Sequence, residues 1–262
     1  MRIPIDIAPG LVTQDTSFRN QGRWEDASNV RFRDGQWEVI GGWESLVTTL
    51  LTGVCRTVFQ WTDNASSLNI AFGTNEKLQL WLGGILYDIT PAGFVPGAVN
   101  GTGGAGYGTG AYGIGEYSEP STADFFPLTW SFAPYGETLM ANPRGQTIYT
   151  WENNTANPAT ALTNAPAEVT YMLVVPQRQV MALGCNEETS GVFNPLCIRW
   201  SDIEDPEQWA TATNNNAGEY ILEGGSRIVC GRVVGDYVFI WTDVALYMGT
   251  FIGDPGETWR FE

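Results

Sequence analysis

Residues 236–248 read Asp-Tyr-Val-Phe-Ile-Trp-Thr-Asp-Val-Ala-Leu-Tyr-Met. An apolar run rich in branched and aromatic residues ends at Trp241, polar residues follow, and a second apolar run passes Tyr247. Branched and aromatic side chains suit a pleated sheet, and a short polar interruption suits a tight turn. The stretch therefore predicts two antiparallel strands joined by a turn.

The same pattern occurs three more times along the chain, at 67–81, 137–151 and 178–200. Each second strand ends in or near an aromatic residue, and these aromatics stand at positions 81, 151, 200 and 247. Without a glycine-rich insert in the first gap, the spacing lies within the roughly 40–50 residues of propeller blades. We therefore predict an all-β, propeller-like fold of repeated antiparallel hairpins. A β-sandwich is the alternative, because a meander of similar hairpins would give the same pattern.

Two regions and one insert are predicted. Residues 1–45 read as an extended N-terminal arm ending in a hairpin, because prolines and glycines there oppose a helix. Residues 46–262 read as the β-rich, propeller-like domain, with a Gly/Tyr-rich insert at about 93–120. The insert repeats Tyr-Gly steps at Tyr107 and Tyr112. It is either a loop whose tyrosines pack on the body or an adaptable contact surface.

The composition excludes several classes of function. Histidine is absent, which removes the Ser-His-Asp triad, the Cys-His pair and His-ligated zinc. The formal net charge is −16, which opposes tight binding to nucleic acid because phosphate contacts need cations. No apolar stretch approaches the roughly 18 residues of a spanning helix. We expect no enzyme activity, no cofactor, no membrane span and no secretion signal.

Four cysteines, Cys55, Cys185, Cys197 and Cys230, contain no Cys-x-x-Cys spacing. A zinc ribbon and a thioredoxin-like motif are therefore excluded. We predict buried apolar thiols, with a Cys185–Cys197 bridge across a hairpin loop as the alternative.

An acidic cluster between Trp200 and Trp209 is the best candidate for chemistry. We predict that it is an exposed turn at Asp205-Pro206, with Trp209 packing back, and that it holds no metal. Two alternatives stay open for residues 202–207. One is a calcium site made by the weak candidates Asp202, Glu204 and Asp205. The other is a glycosidase that works with carboxylates alone.

Two short sequence motifs of the arm resemble motifs of a known group of proteins. Residues 26–35 read Asp-Ala-Ser-Asn-Val-Arg-Phe-Arg-Asp-Gly, and residues 40–43 read Ile-Gly-Gly-Trp. These phrases resemble structural proteins of tailed-bacteriophage virions, the group of tail hub, nozzle and head-closure components. Residues 198–202 and 241–247 look like strand ends in the same group.

The resemblance implies a largely β protein, often with a propeller-like domain, that assembles as a ring in the phage tail. The implied partners are copies of itself, other phage tail or connector proteins, and DNA that passes without specific binding. The implied location is the virion, after assembly in the host cytoplasm. A carbohydrate-binding receptor adhesin on the same particle is the alternative, and it would expose tryptophans in a concave pocket.

The arm hairpin is the predicted contact with a neighbouring copy. Asp34-Gly35 supplies its turn, and Arg31 and Arg33 flank Phe32 in the strand before it. An extended arm can add strands to the next subunit, and arginine pairs well with carboxylates. We predict that Arg31, Phe32 and Arg33, together with Tyr107 and Tyr112 of the insert, lie in a subunit interface.

Overall fold

The computed structural model describes residues 8, 10–14, 16, 18–100, 126–254 and 257–262. Within these ranges every regular element is a β-strand, and the 18 strands form five antiparallel sheets. The predicted all-β fold is confirmed. The described residues contain no helix that could serve as a membrane span.

The chain divides into two compact units, residues 1–48 (the arm unit) and residues 49–262 (the main unit). The arm unit contains a two-stranded sheet of β1 (Val30–Arg33) and β2 (Gln36–Val39). The turn between them has positive φ at both central residues, 49° at Asp34 and 79° at Gly35. Such a turn matches the twist of a hairpin, and Gly adopts it without steric cost.

The main unit consists of four sheets, each made from four consecutive strands in an up-and-down meander. The first sheet contains β3 (Cys55–Thr62), β4 (Leu68–Thr74), β5 (Leu78–Leu82) and β6 (Ile85–Asp88). The second contains β7 (Trp130–Tyr135), β8 (Thr138–Pro143), β9 (Tyr149–Trp151) and β10 (Thr160–Ala161). The third contains β11 (Val169–Val174), β12 (Val180–Asn186), β13 (Phe193–Trp200) and β14 (Gly218–Ile221). The fourth contains β15 (Ile228–Val234), β16 (Tyr237–Thr242), β17 (Leu246–Asp254) and β18 (Glu257–Phe261).

The four hairpins predicted from the sequence are the second and third strands of these sheets. The closing aromatics Trp81, Trp151, Trp200 and Tyr247 all lie in third strands. The sequence pattern did not identify the first strands β7, β11 and β15. In β7, for example, Pro134 interrupts an otherwise strand-like segment. The finer prediction, that the sheets are blades of a propeller, stays a prediction.

Successive sheets enclose three apolar cores. Between the first and second sheets the core includes Leu80 and Trp151, and between the second and third it includes Met140 and Val180. The third and fourth sheets share a core of twelve buried residues that includes Leu183. The first strands also meet, since β7 contacts β3 and β11, and β11 contacts β15. The inner sheets are therefore buried on both faces, which explains why their strands are apolar on both sides.

A polar contact fixes the turn between the second and third strands in three of the four sheets. A side-chain oxygen in or beside this turn accepts the backbone N–H of a residue just before the first strand. The pairs are Asn75 with Val54 at 2.7 Å, Asn186 with Glu168 at 2.6 Å, and Asp243 with Ser226 at 2.8 Å. Each contact satisfies a donor that the sheet ladder leaves unpaired. It also ties the entry of the sheet to its central hairpin.

We expect the Asp243 contact to stabilise the fourth sheet. Asp243 also accepts the Ser226 hydroxyl at 2.5 Å, and these hydrogen bonds hold the pKa of its carboxyl below the ordinary value. Asp243→Ala should lower the melting temperature. Asp243→Asn should lower it less, because Asn75 makes the same backbone contact in the first sheet.

The effect of pH has a definite sign. A lowered pKa in the folded state means that the carboxylate contributes stability above its unfolded pKa and loses it as pH falls further. The stability advantage of the wild type over the Asp243→Asn variant should therefore be constant near neutral pH and shrink below about pH 4. Thermal unfolding of the wild type and both variants, monitored by circular dichroism from pH 3 to pH 7, checks both expectations. Three identical melting curves at neutral pH would contradict the proposed contribution.

Candidate functional site

The arm hairpin has one apolar face and one polar face. Phe32 lies opposite Trp37 and Val30 opposite Val39, whereas Arg31 lies opposite Glu38 on the other side of the sheet. Alternation along a strand sends these two sets to opposite faces. Arg31 donates from Nε and Nη2 to Glu38 Oε2, at 2.9 and 2.8 Å.

Two of the four side chains on the apolar face of the hairpin are exposed, and Val30 and Phe32 are half-buried. Trp37 is 58% exposed and Val39 is 71% exposed. A pocket of about 210 Å³ is lined by Trp24, Phe32 and Trp37, among others. A two-stranded sheet is only marginally stable in water on its own. The face formed by Val30, Phe32, Trp37 and Val39 therefore has the composition of a contact surface.

The predicted interface residues do not all share this surface. Phe32 is on the apolar face, whereas Arg31 and Arg33 are on the opposite, polar face. Arg33 lies near Asp34, with Nε 3.8 Å from Oδ2. The other two predicted interface residues, Tyr107 and Tyr112, lie outside the described residues. The assignment of all five residues to a subunit interface stays a prediction.

The acidic cluster after β13 is a turn whose carboxylates accept backbone hydrogen bonds. Asp202 Oδ1 accepts the N–H groups of Ile203 and Asn216, both at 2.8 Å. Asp205 Oδ1 accepts the N–H of Glu207 at 3.0 Å. Trp209 is buried, and its Nε1 donates to the carbonyl of Pro206 at 2.7 Å. The predicted turn, with Trp209 packing back, is observed.

The described residues contain no group of three or more histidine, cysteine or acidic side chains that could hold an ion. Glu204 is exposed, with a backbone φ of 60°. Asp202, Glu204 and Asp205, the weak metal candidates, are therefore close in sequence without converging on one point.

All four cysteines are free thiols. Cys185 and Cys197 are fully buried on neighbouring strands, and their sulfur atoms lie 3.9 Å apart. The hydrogen bond between the two thiols, together with burial, raises the pKa of Cys197 above its ordinary value. The predicted buried thiols are found at this pair, whereas Cys55 and Cys230 are only partly buried.

A cleft of about 650 Å³ lies between the outer strands of the third and fourth sheets. Tyr220 on β14 and Phe261 on β18 form part of its wall, with ring centroids 5.2 Å apart. Glu257 and Arg260 add an ion pair with an N–O distance of 2.7 Å. The volume falls in the range of small-ligand sites, and an aromatic wall beside polar groups suits the stacking of a sugar ring.

The cleft was not predicted because its walls come from two sheets. The indole of Trp259 is buried there and donates to Gln179 Oε1 at 3.0 Å. Gln179 Nε2 in turn donates to the carbonyls of Ser201 and Asn216, at 2.8 and 3.2 Å. A lone buried glutamine gives no signal in sequence, so these contacts become visible only in the fold.

We expect the acidic turn to act in stability rather than in metal binding. Asp202→Ala removes the acceptor of two amide hydrogen bonds and should cost about 1–3 kcal/mol in the free energy of unfolding. The exposed Glu204→Gln is the matched control and should change little. Millimolar Ca²⁺ or chelator should leave the melting temperature unchanged. A Ca²⁺-dependent increase in the wild type, lost in Asp202→Ala, would contradict this interpretation.

No protein-family model matches the chain, and no curated protein matches it. The resemblance of residues 26–35 and 40–43 to phage virion proteins stays a prediction. The described residues contain three surface features of interest: a hairpin with one apolar face, an acidic turn and an aromatic cleft.

Proposed function

We propose that the protein is a structural component of a tailed-phage virion. In this proposal it forms or joins a ring in the tail, as a hub, nozzle or adaptor, around the DNA channel. One observation carries the proposal: the motif at 26–35 contains β1 and the hairpin turn, the motif at 40–43 directly follows β2, and Trp37 and Val39 on the apolar face of this hairpin are exposed. A surface of that kind suits assembly, since contiguous exposed apolar residues mark sites of interaction.

We also infer that the four sheets of the main unit are blades of a propeller-like arrangement. Each sheet is a four-stranded meander, and successive sheets pack face to face over an apolar core. Their first strands are neighbours, as expected for strands that line a common axis. This inference extends the all-β description and does not depend on the proposed role in the tail.

The placement of tryptophan supports a structural role over catalysis. Six of the eleven tryptophans, at positions 61, 130, 151, 200, 209 and 259, are buried. Trp130 illustrates their use, because it packs on Gly73 of the first sheet and donates to the carbonyl of Thr74 at 2.8 Å. No described group combines a nucleophile with a histidine base, since the sequence has no histidine. We therefore propose that the protein is not an enzyme and needs no cofactor.

The charge of the chain fits a channel component. A net charge of −16 repels the DNA backbone, and repulsion lets a duplex slide without sticking. The proposed partners are further copies of the chain and other phage tail or connector proteins. The proposed location is the virion, reached after assembly in the host cytoplasm.

Ring assembly tests the proposal directly. Light scattering and low-resolution imaging of the purified chain should reveal a closed ring, or a monomer that joins rings when tail proteins are added. A stable monomer that ignores tail proteins and binds glycans would overturn it.

The arginines allow the same assay to be refined. The double change Arg31→Ala and Arg33→Ala should slow assembly and weaken its salt dependence, because charges at an interface rim steer encounter. Lys77→Ala is the matched control, since it removes an ion pair to Asp88 at 2.6 Å in the first sheet. Normal assembly kinetics in the double variant would remove Arg31 and Arg33 from the interface.

The cleft between the third and fourth sheets favours a second candidate, the carbohydrate-binding adhesin. Tyr220 is its exposed aromatic residue, whereas Trp200 and Trp259 in the same cleft are buried. If the cleft binds glycans, Tyr220→Ala should weaken binding by at least about tenfold, the scale of one lost stacking contact. Glycan-array binding followed by calorimetry measures this, with the exposed Tyr237→Ala as the control. An array with no hits would leave the adhesin without support.

A further inference from the structure

Two sheet faces with apolar side chains are exposed in the described part of the chain. One is the apolar face of the arm hairpin. The other is the outer face of the fourth sheet, which points away from the third sheet and carries Phe239, Trp241, Leu246 and Met248. Trp241 is 38% exposed and Leu246 is 52% exposed.

The outer face of the fourth sheet resembles, in its cross-strand apolar pairs, the face of the third sheet that is buried against the fourth. In the third sheet, the cross-strand pairs Met181–Trp200 and Leu183–Ile198 face the fourth sheet and lie in its core. In the fourth sheet, the corresponding pairs are Phe239–Met248 and Trp241–Leu246. Both sets lie on the second and third strands, in the same register and on the same side.

Strand alternation confirms the direction of these side chains. Val238 and Ile240 lie in the core against the third sheet, so Phe239 and Trp241 point to the other side. Phe239 and Trp241 have ring centroids 6.4 Å apart, which makes one continuous aromatic surface. On the solvated face of an antiparallel sheet, residues at these positions are usually polar. The same face carries exposed Arg232 opposite Phe239, so its apolar part is a patch on the second and third strands with a polar margin, the size that a small sheet would cover.

The first sheet offers no wide apolar counterpart for this face, because its outer side exposes the polar Gln60 beside Val58. Ile70 and Phe72 lie on its side away from the second sheet, and both are buried. The arm hairpin does offer one, because it is a small sheet with an exposed aromatic and aliphatic face. It is also close to neutral: residues 1–43 carry five basic and six acidic residues, against eight and 23 in the remainder. Contact through the arm therefore costs less like-charge repulsion than contact between two acidic bodies.

We propose that the apolar face of the arm hairpin of one copy packs on the outer face of the fourth sheet of a second copy. This contact rests on the proposed ring assembly and names the surfaces that make it. It joins two different patches, so each copy has one donor and one acceptor surface. Such heterologous contacts close into a ring when the rotation allows.

The contact assigns different roles to the three arm residues. Phe32 lies in its apolar centre with Trp37, where fully desolvated aromatic residues dominate binding. Arg31 and Arg33, on the opposite face, lie outside that centre and can take part only at the edge of the contact. Their loss therefore affects the rate and salt dependence of association, whereas the loss of Phe32 and Trp37 affects its strength.

Two double variants of the full chain test the proposal. The hairpin variant is Phe32→Ser with Trp37→Ser, and the sheet variant is Trp241→Ser with Leu246→Ser. Sedimentation velocity over a range of concentrations measures self-association. Each variant should weaken it by at least about tenfold. Val58→Ser, which removes an exposed apolar side chain of the first sheet, is the control and should have no effect. Circular dichroism verifies that each variant is folded.

Mixing the two variants gives the decisive result. The hairpin variant keeps an intact sheet face, and the sheet variant keeps an intact hairpin. Together they should form a one-to-one complex that grows no further, although neither associates alone. A hairpin variant that still dimerises through its fourth sheet would overturn the proposal in favour of a symmetric sheet-on-sheet contact.

A second measurement does not depend on these substitutions. A photoreactive phenylalanine analogue placed at position 37 should cross-link to residues 237–248, and mixed isotope-labelled and unlabelled copies should give hybrid cross-links. Cross-links confined to single copies, or mapping elsewhere, would overturn the proposal. Rings that still form normally from each double variant would also overturn it while leaving the proposed function intact. A chain that joins no ring with tail proteins overturns the proposed function itself.

Discussion

Face-to-face packing of four-stranded sheets is the constraint on which the rest of this structure depends. A sheet buried on both faces cannot use the usual alternation of polar and apolar residues. Strands such as β12, whose side chains reach a core on either side, are therefore apolar almost throughout. Burial on this scale supplies most of the favourable free energy of folding. It also leaves the polar groups of the turns to be satisfied locally.

The turns meet that requirement with side chains rather than with further sheet. Asn75, Asn186 and Asp243 each accept a backbone N–H that the ladder leaves free. Asp202 does the same at the acidic turn, where its carboxylate serves two amide groups. The acidic cluster at 202–207 was a candidate for chemistry on the basis of its sequence. In the fold, Asp202 and Asp205 of this cluster accept backbone hydrogen bonds. Carboxylates can take part in chemistry or accept hydrogen bonds from the backbone. The direction in which their side chains point decides which of the two they do.

Exposed surface, by contrast, concentrates the features relevant to function. The arm hairpin places its arginines on one face and its aromatic residues on the other. The outer face of the fourth sheet repeats the register of a buried face. Both surfaces arise because successive side chains along a strand point to opposite faces. A shift of one residue in the pairing would therefore move the side chains of each surface to the opposite face of its own sheet. The proposed assembly role rests on these two surfaces.

Local sequence patterns were sufficient to predict the all-β class, the arm hairpin and the central hairpin of each sheet. These elements are encoded locally, in a two-residue period and in turn residues such as Asp34-Gly35, whose positive φ angles the structure contains. The first strands β7, β11 and β15 were not predicted, because their pairing is set by the neighbouring strand and their own sequences lack a distinct turn signal. The tertiary structure alone decided the cleft at Tyr220, the buried contact between Gln179 and Trp259, and the exposure of Trp241. Each of these depends on which sheet lies against which, and residues far apart in the chain meet only through packing.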